Sequence, residues 1–177
     1  MPPSLTFVAA LRRFRRNRRG SAAVEFAMIA PMFIALLFAI LESAMVFFAS
    51  QVLETVTQDS ARMIMTGQEQ TAGKSKAQFK SDLCAKVVAL FDCANGITVD
   101  VESFPQFSTV SLPSPIDANG NCLPPSNYSP GGPGDIVVVR AFYQWPIFVT
   151  GLGFNLADAS GSKRCLTATA AFQNEPY

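Results

Sequence analysis

The peptide bond between Gly20 and Ser21, Glu25 five residues after the glycine, and four cysteines at 84, 93, 122 and 165 are the positions whose types and spacing point to chemistry. Glycine leaves room for a protease to grip an extended backbone. A cut after Gly20 would expose a positive amine on Ser21, four residues before the carboxylate of Glu25. In a helix bundle of low dielectric an unpaired carboxylate is costly, so the amine of one chain and Glu25 of a neighbour would make a registered pair. The competing reading leaves Glu25 at the lipid headgroups. Cys84, Cys93, Cys122 and Cys165 are an even set placed wholly after the main apolar run, which fits oxidation outside the cytoplasm. Zinc is the competitor, but no C-x-x-C pair and no histidine supports it. Three pairings are open. Cys84 with Cys93 and Cys122 with Cys165 is the expectation, because the first pair would join a helix end to the start of the next strand.

The absence of histidine removes the commonest general base, the usual catalytic zinc sets and the Ser-His-Asp and Cys-His arrangements. Asp82, Asp92, Asp100 and Asp117 sit in no calcium loop or recognisable carboxylate pair, and no glycine-rich phosphate loop is present. The expectation is a chain that is not an enzyme and holds no metal or cofactor.

These positions need elements to hold them. The net charge of +1 hides an asymmetry: Arg12, Arg13, Arg15, Arg16, Arg18 and Arg19 precede the first acid, Glu25. Beyond residue 20 stand eight basic against thirteen acidic residues, a balance of −5. A basic run can bind nucleic acid. Placed directly before an apolar span it reads instead as a topology signal that keeps the N-terminus in the cytoplasm, so no nucleic-acid partner is expected. Residues 26–41 carry no charge, and Glu25 and Glu42 lie seventeen positions apart, about 25 Å along a helix. That approaches the hydrocarbon thickness of roughly 30 Å and puts each glutamate at one interface. A secretory signal peptide fits less well, because the apolar stretch is too long and no A-x-A-like site follows it.

Ala49, Leu53, Val56, Ser60 and Met63 continue the helical period, so one helix of about 65 Å is expected from Ala22 to Met65, spanning the membrane over about 22–49. Gly67 is its expected end. Pro31 removes one backbone donor, which membrane helices tolerate. Ala23, Ala27, Ala30, Ala35 and Ala39 would let a second helix approach closely, although plain alanine abundance explains them as well. Beyond residue 73 the spacing of Phe79, Leu83, Val87 and Leu90 predicts an amphipathic helix over 74–91. Strands are expected around 97–102, 136–145 and 166–172. The result is an α+β fold: a basic leader at 1–20, a long helix over 21–66, and a small domain over 74–177 with an antiparallel sheet. The connection 105–134 is rich in proline, glycine, serine and asparagine, and is expected to be irregular surface, with a contact loop as the alternative.

The run Arg18-Arg19-Gly20-Ser21-Ala22-Ala23-Val24-Glu25-Phe26-Ala27 resembles the processing motif of type IV prepilins. More narrowly, that run, Pro31, Ser60-Ala61-Arg62, Thr66-Gly67-Gln68 and the closing Phe172-Gln173-Asn174-Glu175-Pro176-Tyr177 resemble the TadE-like family, whose better known members are minor pilins or pseudopilins of tight-adherence (Flp-type) pilus systems. The resemblance is strongest over 18–67 and weakest over 105–134. It implies cleavage after Gly20 by a prepilin peptidase, with this chain as substrate. It further implies a role in pilus assembly beside other pilins and the assembly platform, in the inner membrane with a periplasmic C-terminal domain. Fibre, tip and platform all stay open as its place. Small major pilins of such systems usually carry Glu-Tyr where this chain has Glu25-Phe26, which favours a minor component. The alternative is an uncleaved, membrane-anchored periplasmic scaffold or binding module.

Overall fold

Apolar side chains at helical spacing build the first element, α1, an unbroken helix Ser21–Met65 that contains Pro31. In this computed structural model, which describes residues 20–87, 91–150 and 155–177, it is followed by α2 (Gln68–Thr71), α3 (Lys76–Lys86), α4 (Cys93–Gly96), β1 (Ile97–Phe104), a short 3-10 turn at Phe107–Thr109, β2 (Ile136–Pro146) and β3 (Lys163–Gln173). The six arginines of the leader lie outside the described residues. The chain divides into two units, Met1–Ile40 and Leu41–Tyr177. In the first, the helix exposes Val24, Phe26, Met28, Ile29, Met32 and Phe33. Among the described residues α1 is the one helix long and apolar enough to cross a membrane.

In the second unit the strands form an antiparallel sheet in the order β1-β2-β3, and the class is α+β. One face of the sheet presents Val99, Val101, Val137, Val139, Ala141 and Ala168 to Val46, Ala49, Leu53, Val56 and Ile64 of α1, with Phe79 and Leu83 of α3 closing the cluster. The helical drift of 3.6 residues per turn selects Ile64 as the last buried position of α1, leaving the expected Met63 half-buried. Thr66 and Gly67 then end the helix: Gly67 takes φ +74°, the left-handed conformation open to glycine, and its N–H donates to Ile64.

One expectation changes, and two features go beyond the sequence reading. The helix expected over 74–91 stops at Lys86, with Val87 extended. Cys84 and Cys93 are disulfide-bonded with Cα atoms 5.6 Å apart, whereas nine residues of helix would separate them by about 13 Å, so the chain has to leave the helix there. The start of α3 is set by a reciprocal cap, in which the Ser75 N–H donates to Gln78 Oε1 at 2.8 Å and Ser75 Oγ accepts from the Gln78 N–H. In β2, Ile136 to Phe142 are buried without a break, because the sheet is covered on both faces. The cover on the second face comes from the connection 105–134, irregular and largely exposed as expected but fastened to the sheet. Its Cys122 is bonded to Cys165 of β3, its Pro113 carbonyl accepts from Arg140, and Ser129 and Val101 hydrogen-bond across a parallel bridge.

The two disulfides, Cys84–Cys93 and Cys122–Cys165, leave no free cysteine among the described residues. Loop-closure entropy makes the longer one worth more, about 4 kcal/mol against about 3 kcal/mol for the shorter. Replacing Cys122 and Cys165 by alanine is expected to lower the denaturation midpoint further than replacing Cys84 and Cys93. Denaturant unfolding of the full chain in micelles measures both, and a larger loss from the Cys84/Cys93 variant would show that the loop is held by its hydrogen bonds instead.

Candidate functional site

The first turn of α1 carries Gly20, Ser21 and Glu25. Ser21 Oγ donates to Glu25 Oε1 at 3.0 Å, so the hydroxyl and the carboxylate one turn later share a helix edge. Both residues are exposed, as are Ala22, Ala23, Val24, Phe26 and Ala27 around them. A Cβ built on Gly20 meets no described atom within 4 Å, and the residue is not at positive φ. Nothing within the described chain therefore demands glycine at this position.

A second constellation joins segments far apart in sequence. The Glu175 N–H donates to the Met65 carbonyl at 2.9 Å, satisfying one of the carbonyls that the end of α1 leaves open. Buried Asn174 donates through Nδ2 to the Pro130 and Gly132 carbonyls, each at 3.0 Å, and Gln70 Nε2 donates to Pro130 at 2.9 Å. The ring of Tyr177 lies where a Cβ on Gly67 would fall, 2.3 Å from its nearest atom, so glycine at 67 serves both the backbone turn and the approach of the C-terminal ring. Thr66-Gly67-Gln68, the proline- and glycine-rich segment 130–134 and the C-terminal residues 174–177 thus form one lock over the end of α1. Beside it, burial pushes the Tyr128 phenol up to about 12, with Glu69 adding to the shift. The Lys74 ammonium is held above its ordinary value by hydrogen bonds to Asp82 and Glu69.

Glu42, expected at the headgroups, has partners within the chain. Its Oε1 lies 2.5 Å from the N–H nitrogen of Phe148, and the Val149 N–H is shared between Oε1 at 3.2 Å and Oε2 at 3.0 Å. The sequence signal was there in outline, since Glu42 is the one charge between Glu25 and Glu54, but its partners are backbone amides more than a hundred residues away. Asp100 and Arg140 were missed as a pair as well. They stand directly opposite in the β1–β2 register, and Arg140 donates to Asp100 Oδ2 through Nη2 at 2.7 Å and Nε at 3.1 Å.

The model of one protein family, described as TadE-like protein, matches residues 20–62. The match opens on Gly20 and runs through nearly all of α1; the disulfides, the sheet and the C-terminal lock lie beyond it. No curated protein and no solved structure matches the chain.

Proposed function

We propose that this chain, TadE-like over its long helix, is a minor pilin or pseudopilin that acts in assembling a tight-adherence (Flp-type) pilus, and that it works as a structural part, not as an enzyme. In this reading a prepilin peptidase cuts between Gly20 and Ser21 on the cytoplasmic side. The six arginines hold the leader inside, α1 crosses the inner membrane once, and the disulfide-bonded unit stands in the periplasm. The observation that carries the reading is the first turn of α1: a match that begins at Gly20, a glycine that nothing among the described residues requires, and Ser21 one turn from Glu25.

The physical chemistry of that turn supports assembly. Cleavage puts a cationic amine on the helix N-terminus, where the macrodipole is already positive, so the amine gains from a carboxylate nearby. Glu25 is exposed on the single chain, and a lipid-facing carboxylate without a cation is costly. Pairing the amine of one subunit with Glu25 of the next relieves both and fixes their register. Exposed Ala23 and Ala27 on the same stretch let a neighbouring helix come close. The expected partners are other pilins and the membrane-embedded assembly platform.

The N-terminal residue of the protein isolated from membranes and from sheared surface pili tests this. Mass spectrometry is expected to find Ser21 as the first residue. An intact leader in both fractions would sink the reading and favour the uncleaved periplasmic scaffold.

A further inference from the structure

Of the large apolar side chains described, Phe148 is the most exposed, at 82 %. It sits in the connection after β2, next to Ile147, which is buried and donates its N–H to the Ser162 carbonyl at 2.8 Å. The backbone around Phe148 is therefore held from both sides, by the sheet at Ile147 and by Glu42 at the two following amides. A phenylalanine presented in this way on a tethered backbone has its apolar ring aimed away from the core that its neighbour enters.

The helix beside it is apolar at the same level. Glu42 shares a face with Val46, Ala49 and Leu53, the face that meets the sheet. To one side of that face lie Leu41, Met45 and Phe48, and to the other Phe47, all exposed. The first exposed polar side chain beyond them is Gln51, and the first charge is Glu54. The apolar surface of α1 thus continues six residues past Glu42, about 9 Å further along the axis. Counted from Phe26 to Phe48, it is about 34 Å long, which covers a hydrocarbon core of roughly 30 Å better than the interval between the two glutamates.

We propose that residues 147–150 dip into the outer leaflet of the membrane, with the Phe148 ring among the acyl chains and the Glu42 carboxylate holding the loop amides below the lipid surface. The inference rests on the reading that α1 crosses the membrane. It explains the pairing at Glu42, because an amide without a partner and a carboxylate without a partner are each costly in lipid, and here each satisfies the other. In water neither would need it. Tyr143 and Trp145, half-buried near the same end of β2, supply the amphipathic aromatics favoured at the lipid–water boundary. Lipid fits the patch better than a second protein, because Leu41, Met45 and Phe48 lie on one side of the helix and Phe47 on another, a distribution that a surrounding fluid covers and a single flat partner does not.

The test places a fluorescent side chain at the loop in the full chain, reconstituted in phosphatidylcholine vesicles. Trp145 is the only tryptophan, so Trp145→Phe gives a dark background. Phe148→Trp reports on the loop, and Phe33→Trp in a second protein reports on the span. Acyl-chain-brominated phosphatidylcholine is expected to remove more than half of the emission of both reporters, while aqueous iodide leaves both nearly unquenched. Adding Glu42→Ala is expected to cut the bromine quenching at 148 at least twofold and leave that at 33 unchanged. A reporter at 148 open to iodide and insensitive to bromine, beside a quenched reporter at 33, overturns the inference while the span stands. Quenching at neither position removes the span and the inference together. Blue-shifted emission at 148 that ignores bromine and depends on the protein-to-lipid ratio assigns the patch to a second copy and overturns it too. Unchanged quenching with Glu42→Ala overturns the tether.

Discussion

Gly20→Val is expected to leave the leader attached and to abolish surface piliation, while the rest of the chain folds as before. The valine side chain enters open space, and the backbone there needs no positive φ, so the described structure offers no route by which it would disturb folding. On the proposed reading its effect falls on the peptidase, whose subsite has to admit the residue before the cut. On the same reading the retained arginines add a second block, since six cations held at the cytoplasmic face would oppose extraction of the helix from the membrane. Glu25→Ala separates cleavage from assembly. It removes the carboxylate one turn from Ser21 and leaves the scissile bond in place, so maturation proceeds, at least in part, while assembly fails later. Precursor and mature masses measured alongside surface piliation decide between the two steps. Normal piliation with Gly20→Val, together with an unprocessed wild-type N-terminus, would leave the anchored scaffold standing.

The parts of this architecture that follow from local patterns were readable in the sequence. Helix α1 declares itself by period and by Gly67, and the alternation of Ile97, Val99 and Val101 declares β1. A long uncharged run declares a helix apolar enough to cross a membrane without help from any other segment. What could not be read depends on contacts between distant segments. Continuous burial of β2 requires knowing that the connection 105–134 folds back over the sheet, and proline and glycine content says nothing about where such a segment lands. The early end of α3 follows from the Cys84–Cys93 closure, which overrides the apolar period at Val87. In the sequence the C-terminal residues Asn174, Glu175 and Tyr177 and the Thr66-Gly67-Gln68 motif stand as separate features. Their meeting over the end of α1 explains both, and only coordinates bring them together. Glu42 shows the same limit from the opposite side: a carboxylate at the end of an apolar run has an ordinary explanation at the headgroups, and only the Phe148 and Val149 amides give it another.

The buried pair Asp100–Arg140 is expected to be the most sensitive point of the disulfide-bonded unit. The Asp100 side chain has no exposure and that of Arg140 has 4 %, so neither charge is relieved by water. Asp100 spends one oxygen on Arg140 and the other on the Asn127 N–H at 2.8 Å, while Arg140 Nη1 reaches the Pro113 carbonyl at 3.0 Å. Through these bonds the pair fastens both strands of the β1–β2 ladder to the connection that covers them, and the guanidinium lies 5.4 Å from the centre of the Phe142 ring. Removing Asp100 leaves the buried guanidinium only the longer, more exposed contact to Glu102 at 3.5 Å, so Asp100→Ala is expected to cost about 3 kcal/mol. Arg140→Met should cost a similar amount. Joining Asp100→Ala with Arg140→Met removes both charges, and the double variant is expected to be more stable than the sum of the two losses predicts by more than 1 kcal/mol. It should not return to wild type, because the Asn127 amide and the Pro113 carbonyl each lose a partner at about 1 to 3 kcal/mol apiece. Denaturant unfolding of the full chain in micelles, followed through Trp145, gives all four corners of the cycle. Strictly additive losses would mean that the two side chains act independently, and that the strands are held to their cover by the Asn127 and Pro113 bonds alone.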